Sequence, residues 1–348
     1  MPDDPKTLRV AICGAGMRSR RVWQRHLATR AGFELVGVMD PARAALDASV
    51  AEGHVDAARC FTDLDAMLDA VAPDALLACP IIEAHGWAVR TALQAGCHVL
   101  VEKPFVTSVD EARELTELGE SRDRVLAVVQ NWRTRSAGRA LKDAVDEGRV
   151  GDVSHIVFRY LRDREKPHLP DYLFDEADPV LWAMGIHHLD LFRYVLAGQE
   201  IVSVEGRAAR PAWSRYRVPS INDLVLETDA GVLISYVASF SSRNAHIPQE
   251  SLQVEGELGT LYNDSDYFEP PLLLSLRGND EVVDLTAAVP ADQRGYQAQY
   301  DLADTAVLED FRAAVQTGTS PIASARDNLG TLELVAACRD ALRVSTVG

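Results

Sequence analysis

The sequence predicts an α/β protein in two parts: a doubly wound parallel sheet, then an α+β domain on a large open, mostly antiparallel sheet. Three observations predict it. Residues 8–13 (LRVAIC) form an apolar run that stops at Gly14-Ala15-Gly16 and passes at once into helix-compatible sequence. As far as residue 129, short apolar runs alternate with helical segments, the pattern of a parallel sheet. Beyond residue 150, period-two runs follow one another across turn signals with one helical interruption, the pattern of antiparallel pairing. At 348 residues the chain has the length of about two domains.

In order, the glycine turn leads into a helix over 17–29 carrying Arg18, Arg20, Arg21 and Arg25. A strand over 33–39 ends at Asp40. Helices are expected over 42–52 and 64–71, and a strand over 75–78 ends at Cys79-Pro80. The amphipathic helix 84–95 stops at Gly96, a glycine placed to end a helix. The strand 99–101 ends in Glu102-Lys103-Pro104. Ser108 and Glu111 form a capping box for a helix over 108–121, and 125–129 is a further strand. Alternating runs then fall at 153–161, 201–208, 223–228, 232–240, 251–255, 272–276 and 281–285, broken by a helical block over 179–196. Helices over 302–317 and 326–344 close the chain. This divides it into residues 1–130 plus a final helix at about 321–348, and residues 131–320. Segments 243–249 and 265–271 are expected to be mobile loops.

Composition excludes several functions. Acidic residues outnumber basic ones 52 to 35, a net charge of −17, which argues against nucleic acid or an anionic membrane as partner. No apolar run is long enough for a membrane span, and MPDDPKT has no apolar core of a secretory signal. The five cysteines (13, 60, 79, 97, 338) are scattered, without a C-x-x-C pair, so no disulfide framework or zinc site is expected and the cytoplasm is the expected compartment. Of 35 basic residues only four are lysines (6, 103, 142, 166), so a lysine here is not surface filler.

The glycine turn has the form of a dinucleotide site. Gly14 permits the tight turn and Gly16 lets the backbone approach a pyrophosphate at a helix N-terminus; the third glycine of the fingerprint is replaced by Ser19. Asp40, 21 residues after Ser19, stands where an acid accepts the ribose hydroxyls. It repels a 2′-phosphate and favours NAD over NADP, although Arg18 and Arg43 lie close enough in sequence to keep NADP open. Gly14, Asp40, Cys79-Pro80 and Lys103 all end parallel strands, where ligands bind in such sheets.

These residues resemble the glucose–fructose oxidoreductase, inositol dehydrogenase and rhizopine-catabolism (Gfo/Idh/MocA) family. The likeness runs through Gly14-Ala15-Gly16, Asp40, Cys79-Pro80 in place of the usual Thr-Pro, His85, GCHVLVEKP at 96–104, NWRTRSAGRALKDAVDEGRVGDV at 131–153 and GIHHLDLFRYVLAG at 185–198. It implies a Rossmann domain plus an open-sheet domain, NAD(P)-dependent chemistry on a carbohydrate or polyol carbon, and dimers or tetramers formed through the outer face of the sheet. The implied cofactor-binding set is Gly14, Ala15, Gly16, Met17, Arg18, Asp40, Arg43, Cys79, Pro80, His85, Glu102 and Lys103. Lys103 inherits contact with nicotinamide and substrate, and His187 the role of catalytic histidine, a ready acid/base near neutral pH.

Asp190, three residues on, could orient the His187 ring from the same helix face. Adjacent histidines point apart on a helix, so His187-His188 is a poor metal site, and no metal is expected. Further substrate candidates are Arg133, Tyr160, His168, Trp182, His188 and Asp190, with Arg162 beside Tyr160. One departure stands out: the acid the family carries four residues before this histidine is Ala183 here. That leaves altered chemistry, a compensating acid (Asp175, Glu176 or Asp178), or lost activity. The expectation is an NAD(H)-dependent oxidoreductase of a sugar-like or polyol substrate. The alternatives are a glycoside-cleaving or epimerising enzyme that recycles its NAD, and a non-enzymatic sugar- or dinucleotide-sensing protein.

Overall fold

A computed structural model describes residues 7–243 and 249–344. The chain divides into two compact units, residues 1–130 with 304–330, and residues 131–303 with 331–348. Residues 244–248 of the expected loop 243–249 lie outside the described residues.

The first unit is a six-stranded, wholly parallel sheet of β1 (Leu8–Cys13), β2 (Phe33–Met39), β3 (Cys60–Phe61), β4 (Ala75–Ala78), β5 (His98–Val101) and β6 (Leu126–Val128), in the order β3-β2-β1-β4-β5-β6. Both faces are covered, which is why the strands read as unbroken apolar runs: Ala11, Ile12, Val38, Leu76 and Val99 are buried. Burying each of these isoleucine, leucine and valine side chains contributes about 1.5–3 kcal/mol. Between strands run α1 (Arg25–Thr29), α2 (Arg43–Ala51), α3 (Leu64–Val71), α4 (His85–Gln94) and α5 (Val109–Ser121). Asp63 caps α3 by accepting the Ala66 N–H at 2.8 Å, and Ser108 caps α5 by accepting that of Glu111 at 3.3 Å. Strand order reverses between β1 and β4, the switch point where this class of sheet opens a crevice.

The second unit begins with α6 (Ser136–Asp146), β7 (Val153–Leu161) and α7 (Ile186–Val195). Then come β8 (Ile201–Ala209), β9 (Ile221–Thr228), β10 (Leu233–Ser239), β11 (Glu250–Gly256), β12 (Gly259–Asn263), β13 (Leu273–Leu276) and β14 (Val282–Asp284). The long helices α8 (Tyr296–Thr317) and α9 (Ala325–Ala341) and a short β15 (Leu342–Val344) follow. The sheet order is β14-β13-β12-β11-β7-β10-β9-β8-β15. Its pairings are antiparallel except β7 with β10 and β8 with β15. Ile156, Phe158, Tyr160, Ile234, Tyr236, Leu224 and Val254 point to the buried face. There Phe158 packs edge-on to Phe192 of α7 at 5.6 Å.

Three expectations are corrected. The helix predicted over 302–317 was placed with the sheet domain; from residue 304 it belongs to the first unit. Val307, Leu308 and Phe311 of α8 complete the core of Leu8, Phe33 and Leu35, burial that outweighs chain proximity. The last helix was placed with the first domain, but from residue 331 the chain belongs to the second unit. Leu342–Val344, written as helix, is a strand paired with Gly206–Ala208 of β8. The 265–271 segment, expected to be mobile, is pinned: Phe268 is fully buried, and Asn263 donates to the carbonyls of Glu269 and Pro271, each at 2.7 Å. Among the described residues no helix is long and apolar enough to cross a membrane, and no cluster of His, Cys, Asp or Glu could hold a metal ion. All five cysteines are free thiols.

Candidate active site

In the first unit the glycine turn is tied to the ends of the neighbouring strands. Gly14 N–H donates to the Met39 carbonyl at 2.7 Å. Its φ is +100°, and a Cβ on it would lie 2.3 Å from the Cys79 carbonyl oxygen, so no side chain fits. A Cβ on Gly16 would meet nothing within 4 Å: the turn leaves an open cradle at the start of a helix, where N–H groups lack intrahelical partners. Asp40 accepts the Ala15 N–H at 2.8 Å and the Ala42 N–H at 2.9 Å, which fixes its carboxylate at the rim. The Gly14 and Ala15 N–H groups are spent on holding the turn, so the open cradle at Gly16 and Met17 is what could hold a dinucleotide's pyrophosphate, with Asp40 placed to meet its ribose.

The remaining expected cofactor residues divide. Arg18 donates to Glu102 at 2.7 Å and Asp304 at 3.0 Å and lies 5.0 Å over Trp23, while Arg43 pairs with Asp47 at 3.1 Å. Both arginines that could have met a 2′-phosphate are thus engaged elsewhere. Glu102 also accepts the Trp23 indole N–H at 2.8 Å. Burial works to raise its carboxyl, but Arg18, the indole bond and Lys103 outweigh it and hold it below the ordinary range. Cys79 N–H donates to the Cys13 carbonyl at 2.8 Å, and burial pushes its thiol well above the ordinary value, so it is a packing residue and not a nucleophile. His85 is buried and its Nδ1 lies 2.8 Å from the Pro104 carbonyl oxygen. Lys103 therefore stands half-buried between two anchored neighbours, Glu102 and Pro104, with a cis peptide to the proline.

In the second unit His187 is buried and lies parallel to Trp132 at 6.0 Å; Trp132 lies parallel to Phe268 at 5.7 Å. His188 turns to the sheet and meets the Tyr236 hydroxyl through Nδ1 at 3.0 Å. Asp190 does not serve as the orienting acid for His187. It takes both Arg133 donors at 2.7 Å and the Thr331 hydroxyl at 2.8 Å, entirely within the core. Arg133 and Asp190, expected as substrate residues, form a buried ion pair. The Tyr160 hydroxyl accepts from Arg164 at 3.0 Å, and burial pushes it up to about 12. His168 is exposed on the loop after β7, and Trp182 is half-buried.

Ala183 lies in a turn the sequence did not reveal. Residues Leu181–Gly185 form a π turn in which the Ile186 N–H donates five residues back, to Leu181. The added residue shifts Ala183 out of regular phase with His187 and leaves it exposed. The acids offered as compensation lie elsewhere: Asp175 pairs with Arg217, Asp178 faces Arg339 and Asp340, and Glu176 is exposed.

The sequence reading passed over Arg135 and Glu250, both buried beside the Trp132 cluster. Glu250 had a signal, since it shares the inward period-two positions of Leu252 and Val254. Arg135 had none.

Residues 8–130 match the family model described as an oxidoreductase family with an NAD-binding Rossmann fold, and residues 139–262 match the GFO/IDH/MocA C-terminal domain. The chain belongs to the GFO/IDH/MocA oxidoreductase family. It is similar to D-glucoside 3-dehydrogenase of Escherichia coli K12, 33% identical over 58% of this chain and 57% of that one. It is 28% identical to D-apiose dehydrogenase of Paraburkholderia graminis over 95% of this chain and 87% of the relative. With inositol 2-dehydrogenase of Rhizobium meliloti it shares 25% over 94% of each. An Agrobacterium radiobacter oxidoreductase solved with NAD+, L-tartaric acid and magnesium has the same fold, with a TM-score of 0.85 at 18% identity over 97% of this chain and 96% of that one. An inositol dehydrogenase homologue from Azotobacter vinelandii solved with NADH and myo-inositol has it too, at 0.82, 17%, 97% and 95%. The protein is an NAD-dependent oxidoreductase, and its first unit is the NAD-binding domain.

Proposed function

We propose that the protein interconverts a CH–OH and a C=O group on a sugar-like or polyol substrate. In this reading Lys103 polarises the reacting oxygen and His187 is the acid/base. The observation that carries it is the anchoring of Lys103. Glu102 is held by Arg18 and Trp23, and the Pro104 carbonyl by His85, so the one half-exposed side chain of the Glu-Lys-Pro run is a lysine on a fixed backbone. An ammonium group held this way stabilises negative charge developing on a substrate oxygen. His187, with its ring stacked on Trp132, takes the hydroxyl proton on oxidation and returns it on reduction, a role worth roughly 10²–10⁴-fold. Bound NAD supplies the hydride-accepting and hydride-donating chemistry. Relatives named for glucosides, apiose and inositol support the substrate class.

The exposed Ala183 and the engaged loop acids favour a second reading, in which NAD is reduced and reoxidised within one turnover during glycoside cleavage or epimerisation. Lys103→Ala should abolish turnover on a polyol, keto-sugar and glycoside panel while NAD+ titration stays close to wild type; retained turnover refutes the lysine's role. Product formed without net NADH selects the second reading. We also infer a dimer or tetramer formed through the outer sheet face, where Val157, Val225 and Leu233 are exposed. A monomer mass by light scattering refutes it.

A further inference from the structure

Within residues 131–303 lies a constellation that the roles above leave unused. Arg135, just before α6, is 1% exposed, and none of its three guanidinium nitrogens has a hydrogen-bond partner among the described residues. Its guanidinium lies 4.9 Å over the Trp132 ring and 4.5 Å over that of Tyr300. Rings attract a cation through their faces but accept none of its in-plane N–H bonds. A buried, permanently charged group without acceptors is costly to keep, and its presence here points to an acceptor that arrives from solution.

The neighbours set the charge of that acceptor. Arg162 lies 3.4 Å from Asp266 and 3.6 Å from Glu250, donates to the Gln249 side-chain oxygen at 3.1 Å, and stacks 3.8 Å over Tyr267. Glu250 is buried, accepts the Tyr267 N–H at 3.1 Å through one oxygen and has no partner for the other. Burial pushes its carboxyl up to about 8 against the pull of Arg162 and Arg135, so at neutral pH it is mostly uncharged. Asp266 lies against Arg162, and the half-buried Glu269 is a further acid in the field of both arginines, its carboxyl raised by burial against the pull of Arg135; neither acid hydrogen-bonds the Arg135 guanidinium. The rings of Tyr267, Tyr296 and Tyr300 follow one another at 4.5 and 4.7 Å, and Tyr296 is 43% exposed, so the cluster reaches the surface. Tyr267 and Phe268 both hold left-handed backbone, φ 61° and 55°, a conformation non-glycine residues keep only where packing imposes it, often beside a ligand.

We propose that Arg135 and Glu250 form a carboxylate subsite, in which Arg135 holds the carboxylate of a sugar acid, an aldonate or uronate, in a two-bond pair and Glu250 bonds the same ligand. That such an acid is the substrate rests on the function proposed above; the subsite itself does not. A planar two-oxygen anion matches the guanidinium fork, whose three nitrogens all lack an acceptor. A phosphate, with a charge of about −1.5 to −2, would meet more repulsion from Asp266 and Glu269 than a carboxylate does, and a neutral polyol would give the guanidinium no charged acceptor.

The test is calorimetric titration of the NAD+-saturated protein with D-glucuronate, D-glucose and glucose 6-phosphate, and with D-gluconate against D-glucitol. The acids should bind about tenfold or more tighter than their neutral partners, as expected for a charge-assisted pair, and tighter than the phosphate. Arg135→Met should bring the acid-to-neutral ratio near one, and Arg135→Lys should restore part of it. Without ligand, Arg135→Met should raise the melting temperature, because an unpaired buried charge is removed. Equal binding of acid and neutral partner, tightest binding of the phosphate, no binding of either acid, a preference that survives Arg135→Met, or a lowered melting temperature each overturns the subsite. NADH formed from neutral polyols by a protein indifferent to the acids would sink this inference alone. Arg135-dependent acid binding with no redox turnover would sink the oxidoreductase reading alone.

Discussion

Replacing Glu250 with glutamine should flatten part of the stability profile between pH 5 and 8. The carboxyl is fully buried and pushed up to about 8, from an ordinary value of 4.5, chiefly by burial. Arg162, Arg135 and the Tyr267 N–H pull it down, and Asp266 pushes it up. Since the folded-state value is raised, the folded protein holds a proton that the unfolded chain has released throughout this window. Stability linked to Glu250 is therefore full below about 4.5, declines as pH rises and is exhausted above about 8. Each pH unit inside the window corresponds to about 1.4 kcal/mol. From pH 5 to 7.5 the wild type should thus lose roughly 3 kcal/mol relative to Glu250→Gln, which keeps an acceptor for Tyr267 but has no proton to release. Urea unfolding at half-unit pH steps measures it, and the difference between the two proteins cancels the other carboxyls. Curves that stay parallel within about 0.5 kcal/mol across the window would refute an uncharged Glu250.

The other expectations concern the turn and the buried pair. Gly14→Ala places a Cβ against the Cys79 carbonyl at a φ of +100°; it should cost about 2 kcal/mol or more and abolish NAD retention, and an unchanged melting temperature would contradict this. Arg133→Met leaves Asp190 with only Thr331 and should lower stability by about 3–5 kcal/mol, largely recovered by adding Asp190→Leu; a single variant within 1 kcal/mol of wild type by the approximate ΔG from urea unfolding would argue against a desolvated pair. Asp40→Ala should weaken NAD+ by roughly tenfold and NADP+ much less, shifting the ratio of their titrated affinities; an unchanged ratio would show that Asp40 does not read the ribose.

How much of this could be read from the sequence depends on the range of each signal. Gly14, Asp40 and Lys103 were legible because each is a strand end, and a parallel sheet brings strand ends to one rim whatever the loops do. The pairing of Leu342–Val344 with β8 joins residues more than 130 positions apart, and three residues carry too little periodicity to separate a strand from the end of a helix. The π turn at Leu181–Gly185 rests on one backbone bond shifted by a residue, which leaves no mark on hydrophobic spacing. Asp190 was assigned to His187 from local helix geometry, whereas an arginine 57 residues away claims it. Arg135 was invisible for the opposite reason: arginine is common in this chain, and only burial separates this one from the rest.

The parallel addition of β15 to β8 also bears on how the protein keeps to itself. Without residues 342–344, one border of the nine-stranded sheet would be β8, nine residues with a row of backbone donors and acceptors open to any passing strand. With them, Gly206–Ala208 of that border are covered by a three-residue strand with Arg343 at its centre. Removing residues 342–344 would open Gly206–Ala208 as well and lengthen the edge offered to another strand.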